Sequence, residues 1–201
     1  MKIAIIGAGA AGIIAAITAK RLNKNLQIDL FDANKGIGKK ILASGNGRCN
    51  ISNNQITSKN YLGENPDFTS FALKEFDFKA FEKFCKSIGL LLDIKESGKV
   101  YPLSNEAKSV TNLLELALQE LGVNIYLESM ITDIEKIDDK FNITTKENEY
   151  KAYDKVVISN GLGAAPQLNA NESGLEFASK FGHSFNPTYP SLVGLKTDNT
   201  Y

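Results

Sequence analysis

The chain has little of the chemistry that anchors metal centres, disulfide scaffolds or membrane spans. Its 201 residues include one histidine, two cysteines and no tryptophan. So few soft ligands disfavour a structural zinc site, and so few cysteines are typical of a reducing compartment. No apolar run approaches the roughly 18 residues of a membrane-spanning helix, and the apolar start is too short for the core of a signal peptide. We therefore expect a soluble, cytoplasmic protein without a membrane partner.

An excess of charge of one sign is also missing. The 23 lysines and arginines balance 23 aspartates and glutamates, and no basic cluster stands out. Proteins that bind nucleic acids usually present a basic face. We therefore expect a small-molecule substrate and no nucleic-acid partner, in a chain long enough to build a real core.

What the chain does have, at its start, is a pattern that predicts a strand, a helix and a second strand. Apolar residues form the runs Lys2–Ile6 and Leu26–Phe31, and the alanine-rich segment Gly9–Leu22 between them has the composition of a slim helix. A strand, a helix and a parallel strand in this order open an α/β fold. The turns between them therefore carry the functional information.

Three glycines in G-x-G-x-x-G spacing occupy the first turn. Gly7 permits the tight turn, Gly9 lets the backbone approach a pyrophosphate, and Gly12 lets the helix lie close to the strand. The helix start, with Ala10 and Ala11, offers unpaired N–H groups to phosphates. A glycine turn that serves packing alone is the alternative to a dinucleotide site.

The acid Asp32 ends the second strand, 20 residues after Gly12. At this distance a carboxylate can accept hydrogen bonds from a ribose hydroxyl, and it disfavours the 2′-phosphate of NADP. Ala33 follows it at the same strand end. These three glycines and Asp32, together the dinucleotide fingerprint, do not by themselves distinguish an FAD site from an NAD site.

The rest of the chain predicts a helical insertion, a helix, a β-meander and a final buried strand. We expect a loop with at most a short helix over residues 33–54; two helices over residues 66–89, capped by Asp67 and Asp77; a hairpin of Leu90–Ile94 with Lys99–Tyr101; a helix capped by Ser104 that runs to Leu121; short strands at Val123–Leu127, Ile131–Ile137, Phe141–Thr145 and Glu149–Tyr153; the buried strand Lys155–Ser159; and a helix near Gly174–Phe181.

A β-meander in place of a crossover helix is the layout of glutathione-reductase-type FAD domains. We therefore predict an α/β fold, a Rossmann-like FAD-binding domain with a parallel sheet plus a β-meander, over residues 1–190. The helical insertion lies at residues 55–100.

A second motif carries a family resemblance. Residues Gly36–Asn53, GIGKKILASGNGRCNISN, resemble the GRKLL-SGGGRCN-TN signature of a bacterial NAD(P)/FAD-dependent oxidoreductase family, the BaiN-like or aminoacetone-oxidase-like flavoproteins. The stretches GKVYPLSNEAKSV, YDKVVISNG and FGHSFNPTYPSLVGL are also similar to family motifs. Because family members are longer, the resemblance implies an N-terminal portion. Residues 191–201 would then begin a second domain, and a C-terminal half could be encoded separately.

The residues of this motif suit a flavin cofactor. Backbone N–H groups from Ser44 through Gly45 to Gly47 can form a concave nest for an anion or a flavin carbonyl. Arg48 places a positive charge there, which would stabilise the anionic reduced flavin. Asn50 can both donate and accept hydrogen bonds at a flavin edge. The alternative is a glycine-rich surface loop with ordinary turn chemistry.

The resemblance implies further cofactor contacts. It places Lys39 and Lys40 near the cofactor without saying which side chain faces inward. It also implies adenine contacts from the backbone near Met130 and Ile131, and contacts over the pyrophosphate or ribityl chain from Asn160 and Gly161. We count Cys49 with the cofactor-binding residues as a buried packing residue rather than a redox thiol, since no resolving cysteine lies nearby in the sequence.

The leading hypothesis is an FAD-binding oxidoreductase that moves electrons between a substrate or NAD(P)H and a second acceptor. Two alternatives stay open: an NAD-dependent dehydrogenase without flavin, and a non-catalytic dinucleotide-binding module or half of a split enzyme. We identify no catalytic acid or base and no metal ligands.

Overall fold

The computed structural model describes residues 1–168 and 170–189. In chain order its strands and helices are β1 (Lys2–Ile6), α1 (Ala10–Leu22), β2 (Gln27–Phe31), α2 (Lys39–Ala43), β3 (Ser52–Asn53), α3 (Ser70–Glu75), α4 (Phe78–Ser87), β4 (Leu92–Ile94), β5 (Lys99–Pro102), α5 (Ala107–Glu120), β6 (Asn124–Tyr126), β7 (Ile131–Ile137), β8 (Lys140–Thr145), β9 (Glu149–Tyr153), β10 (Lys155–Ile158) and α6 (Ser173–Lys180). Short 3₁₀ turns lie at Ser44–Gly47, Ser58–Asn60, Pro66–Thr69 and Pro166–Leu168.

A four-stranded parallel sheet in the order β10-β1-β2-β6 forms the base of the fold. Ile3 of β1 pairs with Lys155 on one side and Ile28 on the other, so the first and last predicted strands are neighbours. This arrangement confirms the predicted Rossmann-type α/β fold. It also brings the carboxyl ends of β1, β2 and β10 to one edge of the sheet.

Strand alternation divides the core between the two faces of this sheet. Ile5, Ile28 and Leu30 pack against α1 and α5 in one apolar cluster. Ala4, Ile6 and Phe31 belong to a second cluster with side chains of the meander and of α6. Both faces are therefore covered, as a parallel sheet requires.

Two three-stranded sheets accompany the parallel one. The antiparallel order β7-β8-β9 is the predicted meander, and β3-β5-β4 contains the predicted hairpin. The sequence grouped the strand at Val123–Leu127 with the meander, but β6 instead pairs in parallel with β2, with Asp29 opposite Asn124. A three-residue strand cannot reveal its partner from its own composition.

Helix caps were predicted with mixed success. The carboxylate of Asp77 accepts a hydrogen bond of 2.8 Å from the Ala80 N–H and caps α4 as expected. Asp67 caps no helix, because it lies within a 3₁₀ turn that leads into α3. Ser104 lies two residues too early, since α5 begins after Glu106 without a side-chain cap.

The end of the chain is described only in part. The residues after α6 carry no regular structure up to Tyr189, and the expected start of a second domain at residues 191–201 lies outside the described residues. None of the helices within residues 1–168 and 170–189 is long and apolar enough to cross a membrane.

Candidate functional site

A cavity of about 530 Å³ opens at the carboxyl edge of the parallel sheet. Ile6, Phe31 and Ser159, at or just past the ends of β1, β2 and β10, line its floor. Ligands of open α/β sheets bind at this edge, beyond the carboxyl ends of the strands. The predicted site residues that line the cavity are Gly7, Gly9, Ala10, Ala11, Asp32, Ala33, Lys39, Lys40, Ser44, Cys49, Asn50, Met130, Ile131, Asn160 and Gly161.

Two of the three fingerprint glycines are required by packing. Gly7 has φ +100°, and a Cβ there would lie 2.5 Å from the Cα of Asn160. A Cβ on Gly12 would overlap the carbonyl oxygen of Gly7 and lie 2.6 Å from the hydroxyl of Ser159. Gly12 is not among the cavity-lining residues, so its contribution is to let α1 approach β10 and the turn.

Gly9 differs from the other two. A Cβ on Gly9 would meet no atom within 4 Å, and the residue lines the cavity. It is the N-cap of α1, and no side chain there accepts a hydrogen bond from the first N–H groups of the helix. Open space beside helix-start N–H groups that lack a side-chain cap is the arrangement that suits an anion.

The carboxylate of Asp32 is held in place at the cavity wall. It accepts hydrogen bonds of 2.8 Å from the Ala8 N–H and 2.8 Å from the Asn34 N–H. The Asn34 amide side chain donates a further bond of 2.9 Å. Both bonds from Asn34 go to Oδ1, while among the described residues Oδ2 accepts only from Ala8, so Oδ2 can still accept a hydrogen bond from a ligand hydroxyl.

The loop before the meander is tied to the same strand end. The Ser129 N–H donates to the carbonyl oxygen of Asp32 at 2.8 Å, and the Glu128 N–H donates to that of Asn34 at 3.0 Å. These bonds bring Met130, which is 43% exposed, to the rim of the cavity and the buried Ile131 to its wall. Residues almost 100 positions apart in sequence thus border one end of the site.

Helix α2 places two lysines at the cavity. The N–H of Gly38 donates to the carbonyl oxygen of Ala8 at 2.8 Å, which docks the start of α2 on the glycine turn. Lys39 and Lys40 both line the cavity. The ammonium of Lys40 donates to the carbonyl oxygen of Leu162 at 2.9 Å, in the loop after β10.

The Ser44–Asn50 segment is a compact turn of which only part faces the cavity. Gly45 and Asn46 both adopt positive φ, and a Cβ on Gly45 would lie 2.6 Å from the backbone nitrogen of Asn50. Gly45, Gly47 and Arg48 are not among the cavity-lining residues. The guanidinium of the exposed Arg48 instead lies 5.6 Å from the centre of the Tyr101 ring.

The loop after β10 closes a third side of the site. The hydroxyl of Ser159 donates to the carbonyl oxygen of Ile6 at 2.8 Å. The amide of Asn160 donates to the hydroxyl of Ser173 at 2.9 Å, and a Cβ on Gly174 would overlap the Asn160 side-chain oxygen. The start of α6 is thereby fixed against the end of β10.

Sequence reasoning missed several wall residues. Phe81, Cys85 and Ile88 of the predicted helical region pack in the apolar cluster and line the cavity as well. Other unforeseen lining residues are Ile14, Ile41, Ile51, Phe84, Leu90, Val110, Leu114, Asn171, Ser173 and Phe177. An apolar stripe has the same period whether it faces a core or a ligand, so the sequence holds no signal that separates the two.

Both cysteines are buried and free. Burial raises the pKa of the Cys49 thiol, partly offset by a hydrogen bond with Ser44. Burial, and to a lesser degree the charge of Glu82, raises the pKa of Cys85 to about 12. Among the described residues, no group of three or more His, Cys, Asp or Glu side chains could hold a metal ion.

We expect both thiols to be unreactive in the folded protein. A raised pKa lowers the thiolate fraction at neutral pH, and only the thiolate attacks alkylating agents. Iodoacetamide at pH 8 should therefore modify Cys49 and Cys85 slowly in native protein and rapidly in urea, as measured by mass spectrometry. Rapid labelling of Cys49 without denaturant would contradict its assignment as a packing residue.

The strand order, the glycine turn and the position of the cavity define a Rossmann-type α/β domain, a class whose members bind dinucleotides at this edge. The chain belongs to the HI0933-like family: the model of the HI0933-like protein Rossmann domain matches residues 1–198. This match confirms the resemblance inferred from Gly36–Asn53.

Two curated relatives illustrate the family. Over 97% of its own length, the chain is 37% identical to a 3-dehydro-bile acid delta(4,6)-reductase of Clostridium scindens. It is 32% identical to a ribosomal RNA dihydrouridine synthase of Haemophilus influenzae over 94% of its length. The chain spans 47% of the length of each relative.

Among solved structures, the crystal structure of FqzB is similar to this chain, with a TM-score of 0.51 and 16% sequence identity. The matched region covers 83% of this chain and 37% of the FqzB chain. A likeness at this identity supports the fold alone.

Proposed function

We propose that the chain is the FAD-binding part of a flavin-dependent oxidoreductase that moves electrons between a substrate or NAD(P)H and a second acceptor. The observation that carries the proposal is the composition of one cavity wall. An open glycine at a helix start, a fixed carboxylate and two lysines line the same cavity. These groups match the phosphates and the ribose of a dinucleotide.

The residues present fit the ADP half of such a cofactor. The space over Gly9 admits a pyrophosphate, and the start of α1 offers N–H groups to it. Asp32 is oriented by Ala8 and Asn34 to accept from a ribose hydroxyl. The loop at Met130 and Ile131 borders the same end and would meet the adenine.

The remaining walls of the cavity suit the flavin-ring half of the cofactor. Ser44 and Asn50 present polar atoms, while Phe81, Phe84 and Leu114 add apolar surface to the same cavity. A flavin bound there would supply hydride acceptance and electron transfer. The chain's own residues would bind the cofactor, orient it and exclude water from one side.

Two observations favour FAD over NAD, and a third supports redox chemistry in general. The β7–β9 meander takes the place of a crossover helix before β10. The Ser44–Asn50 turn adds a polar wall that the nicotinamide fingerprint does not include. One relative of the chain is named as a reductase, which supports redox chemistry for the longer protein.

The substrate that we propose is a small molecule. One relative is named for a bile acid and the other for ribosomal RNA, so the names do not decide the class. Equal numbers of acidic and basic residues in this chain favour a small molecule over RNA.

The test is reconstitution of the purified protein with FAD, followed by gel filtration and a visible spectrum. We expect flavin absorbance to elute with the protein, and NADH to compete weakly. Protein that stays folded by circular dichroism yet carries no flavin at saturation would refute FAD binding. Tight binding of NADH with FAD excluded would favour the NAD-dependent alternative.

A further inference from the structure

Lys40 links two walls of the cavity that are far apart in sequence. Its ammonium donates to the carbonyl oxygen of Leu162 at 2.9 Å, across a separation of 122 residues. The same nitrogen would lie 3.4 Å from a Cβ built on Gly161. Lys40 and Gly161 both line the cavity, so the exposed side chain of Lys40 lies at the cavity margin.

The loop that receives this bond contains a conformationally costly residue. Ala165 has φ +64°, a backbone conformation that residues with a side chain rarely adopt. Such a loop keeps one conformation only when surrounding contacts hold it. Among the described residues, the bond from Lys40 is the hydrogen bond that joins this loop to α2.

The ammonium of Lys40 also has N–H groups available for a ligand. An ammonium carries three N–H groups, and the described part of the chain accepts a hydrogen bond from it only at Leu162. Of the residues that the structure describes, Lys39, Lys40 and Asp32 are the charged ones that line the cavity. Since Asp32 is an acceptor, the lysines are the side chains available to neutralise a phosphate.

We propose that Lys40 is a clamp that couples phosphate binding to the order of the 161–165 loop. One N–H holds the Leu162 carbonyl, and the others donate to a phosphate of the bound dinucleotide. Because the loop bond fixes the ammonium at the cavity, loop order favours phosphate binding, and phosphate binding favours loop order to the same degree. Within the described part of the chain Lys39 makes no such bond to the loop, so it contributes charge alone.

The loop half of the proposal is tested without any ligand. Hydrogen exchange followed by mass spectrometry compares residues 159–168 in the wild type, in Lys40→Met and in the matched variant Lys39→Met. Loss of a bond from a charged donor should speed exchange in Lys40→Met about tenfold. Lys39→Met should exchange like the wild type. Equal exchange in all three proteins would overturn the clamp.

The phosphate half rests on the proposed function and uses ADP and adenosine as probes. Lys40→Met should bind ADP about tenfold more weakly than the wild type, and adenosine with unchanged affinity, by isothermal titration calorimetry. Lys39→Met should weaken ADP binding by less. Equal losses for ADP and adenosine would indicate general damage and overturn the phosphate contact.

The two proposals can fail separately. Wild-type protein that binds ADP but no FAD would refute the proposed function and leave the clamp standing. Wild-type protein that binds FAD, with Lys40→Met indistinguishable from Lys39→Met, would refute the clamp alone. Wild-type protein that binds neither ligand would refute both.

Discussion

Gly9→Ala is expected to weaken FAD binding about tenfold to about a hundredfold without lowering the stability of the protein. A Cβ at this position meets no protein atom within 4 Å, and the backbone has φ −81° and ψ −175°, which alanine adopts freely. The added methyl group would occupy the space through which a pyrophosphate approaches the backbone. Overpacking by one such group costs about 1–3 kcal/mol.

Gly12→Ala is the matched control, with the opposite expected result. Its Cβ would overlap the Gly7 carbonyl oxygen, which belongs to backbone and cannot rotate away. We expect a loss of about 3 kcal/mol or more in the free energy of unfolding. Urea unfolding and flavin titration of both variants separate the two effects. A Gly9→Ala protein that binds FAD like the wild type would show that the ligand does not approach this turn.

The first 32 residues were predictable because local sequence determines their structure. The glycine spacing fixes a turn, the apolar runs fix two parallel strands, and the position of Asp32 follows from their lengths. The structure adds why two of the three glycines are needed: contacts with Ser159 and Asn160 exclude a side chain at Gly7 and Gly12. Those partners lie about 150 residues away, so no local pattern could name them.

The lysines and Arg48 show the limit of motif reasoning. Neighbouring residues of a short helix face different directions, and only the structure distinguishes Lys40, bonded to Leu162, from Lys39. Arg48 was predicted beside the cofactor from its motif, yet its guanidinium lies over Tyr101 and is exposed. That prediction stays untested. The direction of a side chain depends on tertiary neighbours, such as the β5 strand here, that the motif does not contain.

A buried polar contact away from the site joins the meander to the parallel sheet. The fully buried hydroxyl of Tyr153 donates to the Asp29 carboxylate at 2.7 Å. Asn124 donates to the other oxygen of this carboxylate at 2.7 Å, and the ammonium of Lys2 lies 3.8 Å away. A buried carboxylate needs such donors, because an unpaired one would cost several kcal/mol. The network therefore holds β9 against β1 and β2.

Tyr153→Phe is expected to lower the free energy of unfolding by about 2 kcal/mol at pH 7, since it removes a hydrogen bond to a charged acceptor. Tyr150→Phe is the control: this ring contacts the same aromatic cluster, and among the described residues its hydroxyl has no hydrogen-bond partner. It should change stability by less than about 0.5 kcal/mol. Urea unfolding measures both variants, and equal effects would contradict a special contribution from the Asp29 contact.

The same bond predicts a dependence on alkaline pH. Burial, followed by the hydrogen bond to Asp29, raises the pKa of Tyr153 above its ordinary value. The folded protein then keeps a proton that the unfolded chain releases above about pH 10. Wild-type stability should fall as the pH rises through that value, because the folded state binds more protons than the unfolded state. Tyr153→Phe lacks this contribution, so the stability difference between wild type and variant should shrink between pH 7 and about pH 11. A difference that stays constant over this range would show that Tyr153 titrates alike in the folded and unfolded chains, and the buried bond to Asp29 would then not hold its proton.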